Sequence, residues 1–397
     1  MTRLALALLA TCALTGVAHA ADPTPVHITV ISDQDDDVYD ARAGRGGVDA
    51  TRMAVADFGG KVLGRPIVVD ALNDHNKPAL APGLATQAYD AGADLLMDVQ
   101  NSPIAAAVAK VATERHKLAI TTGSAIPTLT RGACSKYVYH YSFDSVAIES
   151  ATATYLVSQP TNKTWVAVVA DAGFGKGAVA TFQPIIEAHG GKLAKSFVLP
   201  PDTKDLSAVI DETKTIKPDV IAVFNAGAAD DTQIATMNQA GLQAQLTTAL
   251  LYISDVDRTK DGYAGLIAAV PWYWNMDREA RTWSNRYARS HNGVRPTEAQ
   301  AADYSATTQW LQAVKRAGTT DADAVVKQLD GHSFSDMFAR HAVFRAADHA
   351  VIHDLKIVKI EPSASLKLPH AWFDVLKTIP AAEAYPASTA TACHFTP

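Results

Sequence analysis

The same order of elements occurs several times in succession in two parts of this chain: an apolar strand, a turn and an amphipathic helix. The first series starts at His27 and the second at Trp165. Strands that alternate with helices predict parallel sheets covered by helices on both faces. The chain has 397 residues, enough for two such domains. The duplication therefore predicts an α/β protein of two doubly wound lobes with parallel sheets.

Apolar runs and helical spacing set the limits of the predicted elements. In the first series the strands are expected at residues 27–32, 67–69, 95–97 and 118–121, with amphipathic helices between them. In the second series they are expected at 166–169, 196–199, 220–224 and 249–253. Longer helices follow Pro271, and Thr297 with Gln300 forms the capping box of one of them. A β-rich segment, 355–360, ends the pattern, and no low-complexity linker separates the halves, which favours a hinge.

The charge and the motifs limit the classes of function. The net charge is −6, and no stripe of lysine or arginine is present, so nucleic acid is not an expected partner. The chain lacks a G-x-S-x-G, an H-E-x-x-H, a Walker loop and a pair of catalytic carboxylates. The sequence therefore predicts a binding protein that is not an enzyme and needs no cofactor.

The first twenty residues are typical of an export signal. Arg3 precedes an apolar run, and Ala18 and Ala20 are the small residues that signal peptidase requires. Cleavage is expected after Ala20, which places the protein in the periplasm. A lipoprotein signal ending at Cys12 is the alternative, although Thr11 is a poor residue before that cysteine.

Removal of the signal leaves two cysteines, Cys134 and Cys393. An oxidising compartment allows the single possible disulfide between them, which would tie the C-terminal tail to the first lobe. Two free thiols are the alternative.

The motifs that follow the strands resemble a known family. These motifs are Asn76-Lys77-Pro78, Asn101-Ser102-Pro103, Gly123-Ser124-Ala125 and, after Asp171, Phe174-Gly175-Lys176-Gly177. Their order and spacing resemble the periplasmic solute-binding proteins of branched-chain amino acid ABC transporters. The resemblance implies a type I periplasmic binding protein with two lobes and three crossings of the chain. Lobe 1 would be residues 21–143 with 270–346, and lobe 2 would be 144–269 with 347–397.

The resemblance also implies ligand contacts and partners. Asn101 and Ser102 at a helix N-terminus, and Ser124 with Ala125 in the next turn, would bind a carboxylate. The remaining implied contacts are Phe174, Asn225, Tyr252 and the aromatic wall Trp272 and Trp274, for which packing in the core is the alternative. The implied partners are a small-molecule ligand and an inner-membrane ABC permease, and the protein is expected to be a monomer.

Two departures from the family bear on the ligand. The family's amino-acid binders hold the ligand's ammonium with an acid near Ala249, and residues 249–252 contain none. Since an unpaired buried ammonium costs several kcal/mol, this favours the branch associated with aromatic acids. The loop 33–40, however, carries five aspartates and would repel an anion. The ligand could instead carry a cation, an amine or several hydroxyls. Asp35, Asp36, Asp37 and Tyr39 are expected to supply polar contacts to such a ligand.

Several alternatives remain open at this point. The acidic loop fails the calcium-loop pattern at Val38 and Gly44, so a solvated loop or polar ligand contact is expected rather than a metal site. His341, His349 and His353 lack helical spacing and are expected to be ordinary histidines. The predicted function is capture of a small organic ligand by hinge closure for an ABC importer. A ligand-sensing periplasmic module, a protein that binds a cation, amine or polyol through the acidic loop, and a cation-dependent enzyme are the alternatives.

Overall fold

Two mainly parallel sheets organise the chain in the computed structural model, which describes residues 24–385, 387, 392, 393 and 395. The predicted signal peptide, residues 1–20, lies outside the described residues. The first sheet has the order β2-β3-β1-β4-β5-β6. Its strands are β1 (Val26–Ser32), β2 (Lys61–Val62), β3 (Arg65–Asn73), β4 (Leu95–Asp98), β5 (Leu118–Thr121) and β6 (Val138–His140). All neighbours in it are parallel except β2 and β3.

Both faces of the first sheet are covered, which explains the continuous apolar runs of its strands. Leu95 and Met97 pack into one buried cluster, whereas Leu96 between them packs into another on the opposite face. The helices in this part of the chain are α1 (Val38–Arg42), α2 (Gly44–Asp57), α3 (Ala81–Asp90) and α4 (Ser102–Arg115). The predicted α/β fold is confirmed.

The second sheet is entirely parallel and has the order β10-β9-β7-β8. Its strands are β7 (Thr164–Ala170), β8 (Lys192–Leu199), β9 (Val220–Phe224) and β10 (Gln245–Thr248). The helices in this part of the chain are α5 (Ser145–Ser158), α6 (Gly173–Ala188), α7 (Ser207–Ile216), α8 (Gly227–Gln239) and α9 (Ile253–Thr259).

The prediction of a strand at residues 249–253 is wrong. The strand ends at Thr248, residues 249–252 form a loop, and Ile253 is the first residue of α9. The apolar run is buried because it packs beside the cleft and in the core, where Ala249 and Leu251 are at most 5% exposed. Burial in a loop and burial in a strand leave the same pattern in the sequence. The sixth strand of the first sheet, β6, was not predicted.

The described C-terminal part adds four helices and two small antiparallel sheets. The capping box of Thr297 and Gln300 is confirmed at the start of the second helix. The helices are α10 (Arg278–Ser290), α11 (Glu298–Ala317) and α12 (Ala322–Leu329). The remaining elements are β11 (Ile267–Val270), β12 (Ser333–Phe334), β13 (Ala342–Phe344), β14 (Val351–Ile352), β15 (Leu355–Ile360), β16 (Phe373–Ile379) and α13 (Ala381–Ala384), with 3-10 turns at Pro127–Thr130, Lys260–Tyr263 and Ser363–Ser365. Among the described residues, no helix combines the length and the apolar character needed to cross a membrane.

A buried carboxyl pair lies where α2 approaches α11. A Cβ atom on Gly47 would lie 2.5 Å from Asp303 Oδ2 and 3.1 Å from Asp98 Oδ2, so only glycine fits there. Asp98 and Asp303 are fully buried, and Thr122 donates a hydrogen bond to Asp303. Burial raises the pKa of Asp303 to about 8, and burial together with the neighbouring Asp303 raises the pKa of Asp98. The pair therefore retains a proton at neutral pH.

The predicted disulfide between Cys134 and Cys393 is confirmed, with a Cα–Cα distance of 5.7 Å. The two cysteines are 259 residues apart in the chain. The bond thus connects the loop before β6 to the C-terminal tail.

Replacing both cysteines, in C134S/C393S, is expected to lower the free energy of unfolding by about 2 to 4 kcal/mol. The reason is that the bond closes a very long loop and so restricts the unfolded chain. Urea unfolding followed by circular dichroism measures the change. Wild type under reducing conditions should match the variant; equal stability of the variant and the oxidised wild type would contradict the prediction.

Replacing Asp303 with asparagine is expected to stabilise the protein increasingly as the pH rises from 5 to 8. In this interval the unfolded state has released the Asp303 proton and the folded state still holds it, so wild-type stability falls with pH. The limiting slope is about 1.4 kcal/mol per pH unit. Urea unfolding of D303N and wild type at pH 5, 6.5 and 8 tests this, and a stability difference that does not change with pH would exclude a shared proton.

Candidate functional site

A cavity of about 640 Å³ lies where the carboxyl ends of strands from both parallel sheets face each other. Its walls follow β1, β4 and β5 of the first sheet and β7, β9 and β10 of the second. In each sheet the order reverses at this position, since β1 lies between β3 and β4, and β7 lies between β8 and β9. Open α/β sheets bind ligands at such switch points.

The first sheet contributes three loops to the cavity. Tyr39 and Arg42 come from α1, Asn101 and Ser102 from the start of α4, and the segment 125–128 follows β5. The Gln100 amide, in the orientation that satisfies its partners, donates to the Tyr39 carbonyl oxygen at 3.1 Å and accepts from Ala43 N at 2.7 Å. This amide fixes α1, and with it Arg42, against the loop that precedes α4.

The second sheet contributes the facing wall. Glu149 comes from α5, Phe174 and Thr181 from α6, and Leu250 and Tyr252 from the loop after β10. The start of α6 lies close to β7 because Gly175 lacks a side chain: a Cβ atom there would lie 2.5 Å from the Ala170 carbonyl oxygen. The glycine-rich sequence around Phe174 is thus explained by close packing of helix against strand.

Three helix N-termini at the cavity are left without a side-chain cap. They are those of α4, α6 and α8, whose N-cap residues are Asn101, Ala172 and Ala226. An alanine cannot cap, and Asn101 instead donates through Nδ2 to Asn76 Oδ1 at 2.6 Å. The first-turn N–H groups of these helices therefore lack the usual side-chain acceptor. Together with the helix dipoles they favour an anion in the cavity.

Arg42 is the cation of the cavity. Its side chain is largely buried, and Nη2 donates to Asp255 Oδ2 at 2.8 Å. The guanidinium carbon lies 3.9 Å from the centre of the Tyr252 ring, and Nε has no hydrogen-bond partner among the described residues. Burial opposes the charge, but the Asp255 carboxylate outweighs it and raises the pKa of Arg42. Arg42 therefore stays charged and connects α1 to α9, across the cleft.

Two further acidic residues lie near Arg42. Glu298 and Asp230 are buried near it, and each has an oxygen without a hydrogen-bond partner among the described residues. Burial raises the pKa of Glu298 to about 8, and burial followed by Asp231 and Asp255 raises that of Asp230. Glu298 is therefore largely protonated at neutral pH, and burial disfavours the charged form of Asp230 as well. Asp255, which also accepts from Arg258 Nη2 at 3.0 Å, is the carboxylate paired with Arg42.

Glu149 is the acid of the cavity itself. It is 1% exposed, and its Oε2 has no hydrogen-bond partner among the described residues. Burial raises the pKa of Glu149 to about 7, although the Thr181 and Ser145 hydroxyls beside it act in the opposite direction. The group is thus close to half ionised at neutral pH.

Part of the predicted ligand-contact set lines the cavity. The residues that the structure brings together there are Tyr39, Asn101, Ser102, Ala125, Phe174 and Tyr252. Each lies at the carboxyl end of a parallel strand or on the helix that follows it.

The acidic residues Asp35, Asp36 and Asp37 lie outside the cavity lining, and each has another partner. Asp35 accepts hydrogen bonds from Asn73 and His75 at 2.8 and 2.7 Å. Asp36 is paired with Arg45, and Asp37 caps α1. These carboxylates hold the loop through local hydrogen bonds and one ion pair, and none of them lines the cavity.

Ser124 and Asn225 also lie outside the cavity lining. Ser124 is fully buried, its Oγ accepts from Ile126 N at 3.3 Å, and its carbonyl oxygen lies 2.6 Å from His140 Nε2. Asn225 donates to the Pro201 carbonyl oxygen at 2.8 Å. Their neighbours Ala125 and Ala226 face the cavity instead.

Trp272 and Trp274 belong to the core. Each is 1% exposed, and their indole N–H groups donate to the carbonyl oxygens of Met337 and His370, both at 2.9 Å. Because both rings are packed and both donors are satisfied, the proposed aromatic wall is not in the cavity lining. The aromatic surface of the cavity comes from Tyr39, Phe174 and Tyr252.

The sequence reasoning missed Arg42 and Glu149. The position of Arg42, ten residues after β1 and in the first βα segment, was the available signal. For Glu149 the sequence contains no comparable signal, since this residue lies inside an otherwise uncharged helix. The three histidines considered as metal ligands do not cluster, and the described part of the chain contains no group of three side chains suited to a metal ion.

The fold and the cavity define a two-lobed solute-binding protein, and the comparisons with known proteins agree. A family model described as periplasmic binding protein matches residues 25–365. The chain belongs to the periplasmic binding protein family. The predicted family, the predicted fold class and the predicted function in solute binding are confirmed.

Two solved structures are similar over most of the chain. A periplasmic binding protein from Burkholderia mallei is 34% identical, with 93% of this chain and 98% of that chain covered and a TM-score of 0.84. A branched chain amino acid ABC transporter periplasmic ligand-binding protein from Burkholderia xenovorans LB400 is 27% identical, with 93% and 99% covered and a TM-score of 0.88. A Leu/Ile/Val-binding protein from Rhizobium johnstonii is 27% identical over 163 residues, which span 41% of this chain and 44% of that protein.

Replacing Asp255 with asparagine is expected to lower the free energy of unfolding by about 3 kcal/mol, because it leaves the buried Arg42 charge without its carboxylate. The matched control is D211N, since Asp211 pairs with Lys214 on an exposed helix surface and such pairs contribute less than about 1 kcal/mol. Urea unfolding of the two variants measures both effects. Equal effects would show that the Arg42–Asp255 pair is not a stabilising contact.

Proposed function

We propose that this protein is the solute-binding component of an ABC importer and that its ligand is an aromatic carboxylic acid. The observation that carries the proposal is the cavity in which Arg42 and three uncapped helix N-termini meet apolar and aromatic side chains. The protein performs no chemistry on the ligand, needs no cofactor and delivers the ligand to an inner-membrane permease.

The positive side of the cavity suits a carboxylate. The N–H groups at the start of α4 and the Ser102 hydroxyl are donors, and the nearby Arg42 guanidinium supplies full charge. Charge-assisted hydrogen bonds of this kind are about twice as strong as neutral ones. A ligand carboxylate satisfies the donors that the uncapped start of α4 leaves without a side-chain partner.

The apolar side of the cavity suits a flat ring. Phe174 and Tyr252 offer aromatic faces, and Ile126, Pro127 and Leu250 add aliphatic surface. Aromatic pairs prefer offset-stacked or edge-to-face contacts, which a planar ligand can make with these two rings. A cavity of about 640 Å³ is in the usual size range for small-molecule sites.

The mechanism is a shift from open to closed lobes. We assign residues 21–143 with 270–346 to lobe 1 and 144–269 with 347–397 to lobe 2. In support, α11 packs on α2, and the sheet of β11, β15 and β16 packs on α5. A ligand that contacts α1 and α4 on one side and α6 on the other binds the closed form more tightly and so increases its population. We further propose export with cleavage after Ala20, a periplasmic location and a monomeric state.

A zwitterionic amino acid is the second candidate ligand, favoured by Glu149. Residues 249–252 still offer no acid to an ammonium, but Glu149 reaches the same cavity from α5. The acidic loop gives no comparable support to a cation, amine or polyol, since Asp35, Asp36 and Asp37 are occupied by other partners.

Removing the Arg42 charge is expected to weaken binding of 3-phenylpropanoate by about 10- to 100-fold, as a charged hydrogen bond contributes about 1.5 to 3 kcal/mol. The variant is R42Q/D255N, which removes both partners and leaves no unpaired buried charge. Isothermal titration calorimetry gives Kd. R115Q, which changes an exposed arginine paired with Asp90, is the control and should bind as wild type does.

Two results would contradict this proposal. Binding of the acid by R42Q/D255N with wild-type affinity would show that Arg42 does not hold the carboxylate. Failure of wild type to bind 3-phenylpropanoate or benzoate while it binds leucine would replace the aromatic-acid class with the amino-acid class.

A further inference from the structure

Glu149 is a buried acid in the cavity with no cation to neutralise it. It is 1% exposed, lines the cavity from α5, and its Oε2 has no hydrogen-bond partner among the described residues. A buried acceptor oxygen without a donor costs free energy, so Oε2 calls for a partner even though the Thr181 and Ser145 hydroxyls lie beside the carboxyl group. The cavity that it lines is the place from which such a partner can come.

The neighbouring cations are already used. Arg131 donates to both oxygens of Asp144, at 3.1 and 2.9 Å, and Asp144 also caps α5 one turn before Glu149. Arg42 is paired with Asp255. No arginine that acts on this part of the cavity is therefore left to pair with Glu149.

The other elements packed against α5 do not change this. β11 carries no titratable side chain. α6 brings the Thr181 hydroxyl, the exposed Glu187 and Lys176, whose Nζ is paired with Asp171 Oδ1 at 2.6 Å; β15 brings Lys356 and Lys359, and α13 brings Glu383. The charges that act on the pKa of Glu149 are those of Asp144, which raises it, and Arg131, which lowers it.

We propose that Glu149 is a specificity-determining residue, which accepts a hydrogen bond from a donor that the ligand carries in addition to its carboxylate. The inference rests on the proposed function, since it takes the ligand to be a carboxylic acid bound in this cavity. The donor is a phenolic hydroxyl or an ammonium group; both present N–H or O–H to a carboxylate. A ligand without a donor buries Glu149 unpaired and binds more weakly.

The test compares three acids that share one skeleton. 3-Phenylpropanoate has no additional donor, 3-(4-hydroxyphenyl)propanoate adds a phenol, and phenylalanine adds an ammonium. Isothermal titration calorimetry with wild type at pH 8 is expected to show at least a tenfold tighter Kd for one of the two donor-bearing acids than for 3-phenylpropanoate. The preferred acid shows whether the donor is a phenolic hydroxyl or an ammonium group.

Two variants separate the acceptor from its charge. E149L removes the acceptor and is expected to abolish the preference while it keeps or strengthens binding of 3-phenylpropanoate. E149Q keeps a neutral acceptor, so a preference for the phenol should survive in reduced form and a preference for the ammonium should be lost. E187Q, which changes an exposed glutamate on α6, is the control and should behave as wild type.

The pH dependence gives a readout that a purely structural glutamate would not show. With a pKa raised to about 7, Glu149 becomes ionised between pH 6 and pH 8. An ionised carboxylate is the stronger acceptor, so the wild-type preference for the donor-bearing acid is expected to increase over this interval. Neither E149L nor E149Q should show that increase.

The outcomes that overturn the inference are distinct from failure of the proposed function. Equal binding of all three acids by wild type, or an unchanged preference in E149L, refutes the role of Glu149 and leaves the aromatic-acid function intact. Binding of none of the three acids refutes the ligand class and the role of Glu149 with it.

Discussion

Parallel strands can be buried on both faces only if helices cover both faces, and this constraint decides where the protein can bind anything. Strands at the centre of the sheets, such as β1 and β9, are largely apolar and buried, so the side chains available to a ligand lie at the carboxyl ends, in the loops and the helices that follow. Two sheets facing each other with these ends enclose the cavity. Its chemistry is therefore determined by a few segments after β1, β4, β5, β6, β7, β9 and β10, and the segment after β6 is α5, which carries Glu149.

The electrostatics of the cavity follow from what those segments lack as much as from what they contain. Alanine at two N-caps leaves first-turn N–H groups without a side-chain acceptor, and Arg42 adds a full charge that Asp255 both holds and partly compensates. Arg131, in contrast, is fully used by Asp144, which leaves Glu149 as an acid without a cation. The cavity thus has a positive side and a separate acceptor, joined by aromatic and aliphatic surface.

Local patterns predicted the fold well because apolar strands, glycines at helix ends and a capping box are each recognisable within a few neighbouring residues. The site was harder, since ligand contact and core packing favour the same residue types. Trp272 and Trp274 have the composition of an aromatic wall, and only the tertiary structure shows that their rings pack in the core. Asp35 to Asp37 have the composition of a cation site, but Asp35 is hydrogen-bonded to His75 and Asp36 is paired with Arg45, and neither contact is evident from the sequence. Glu149 reaches the cavity only through the position of α5.

The most direct test of the account is a crystal structure of the protein with 3-(4-hydroxyphenyl)propanoate. We expect the ligand in the cavity between the two sheets, with its carboxylate at Arg42 and the start of α4. Its ring should lie against Phe174 or Tyr252, and its hydroxyl should donate to Glu149. A carboxylate placed away from Arg42 and the helix N-termini, or a ligand bound elsewhere on the protein, would contradict the central claim that these groups form the anion-binding side of the site.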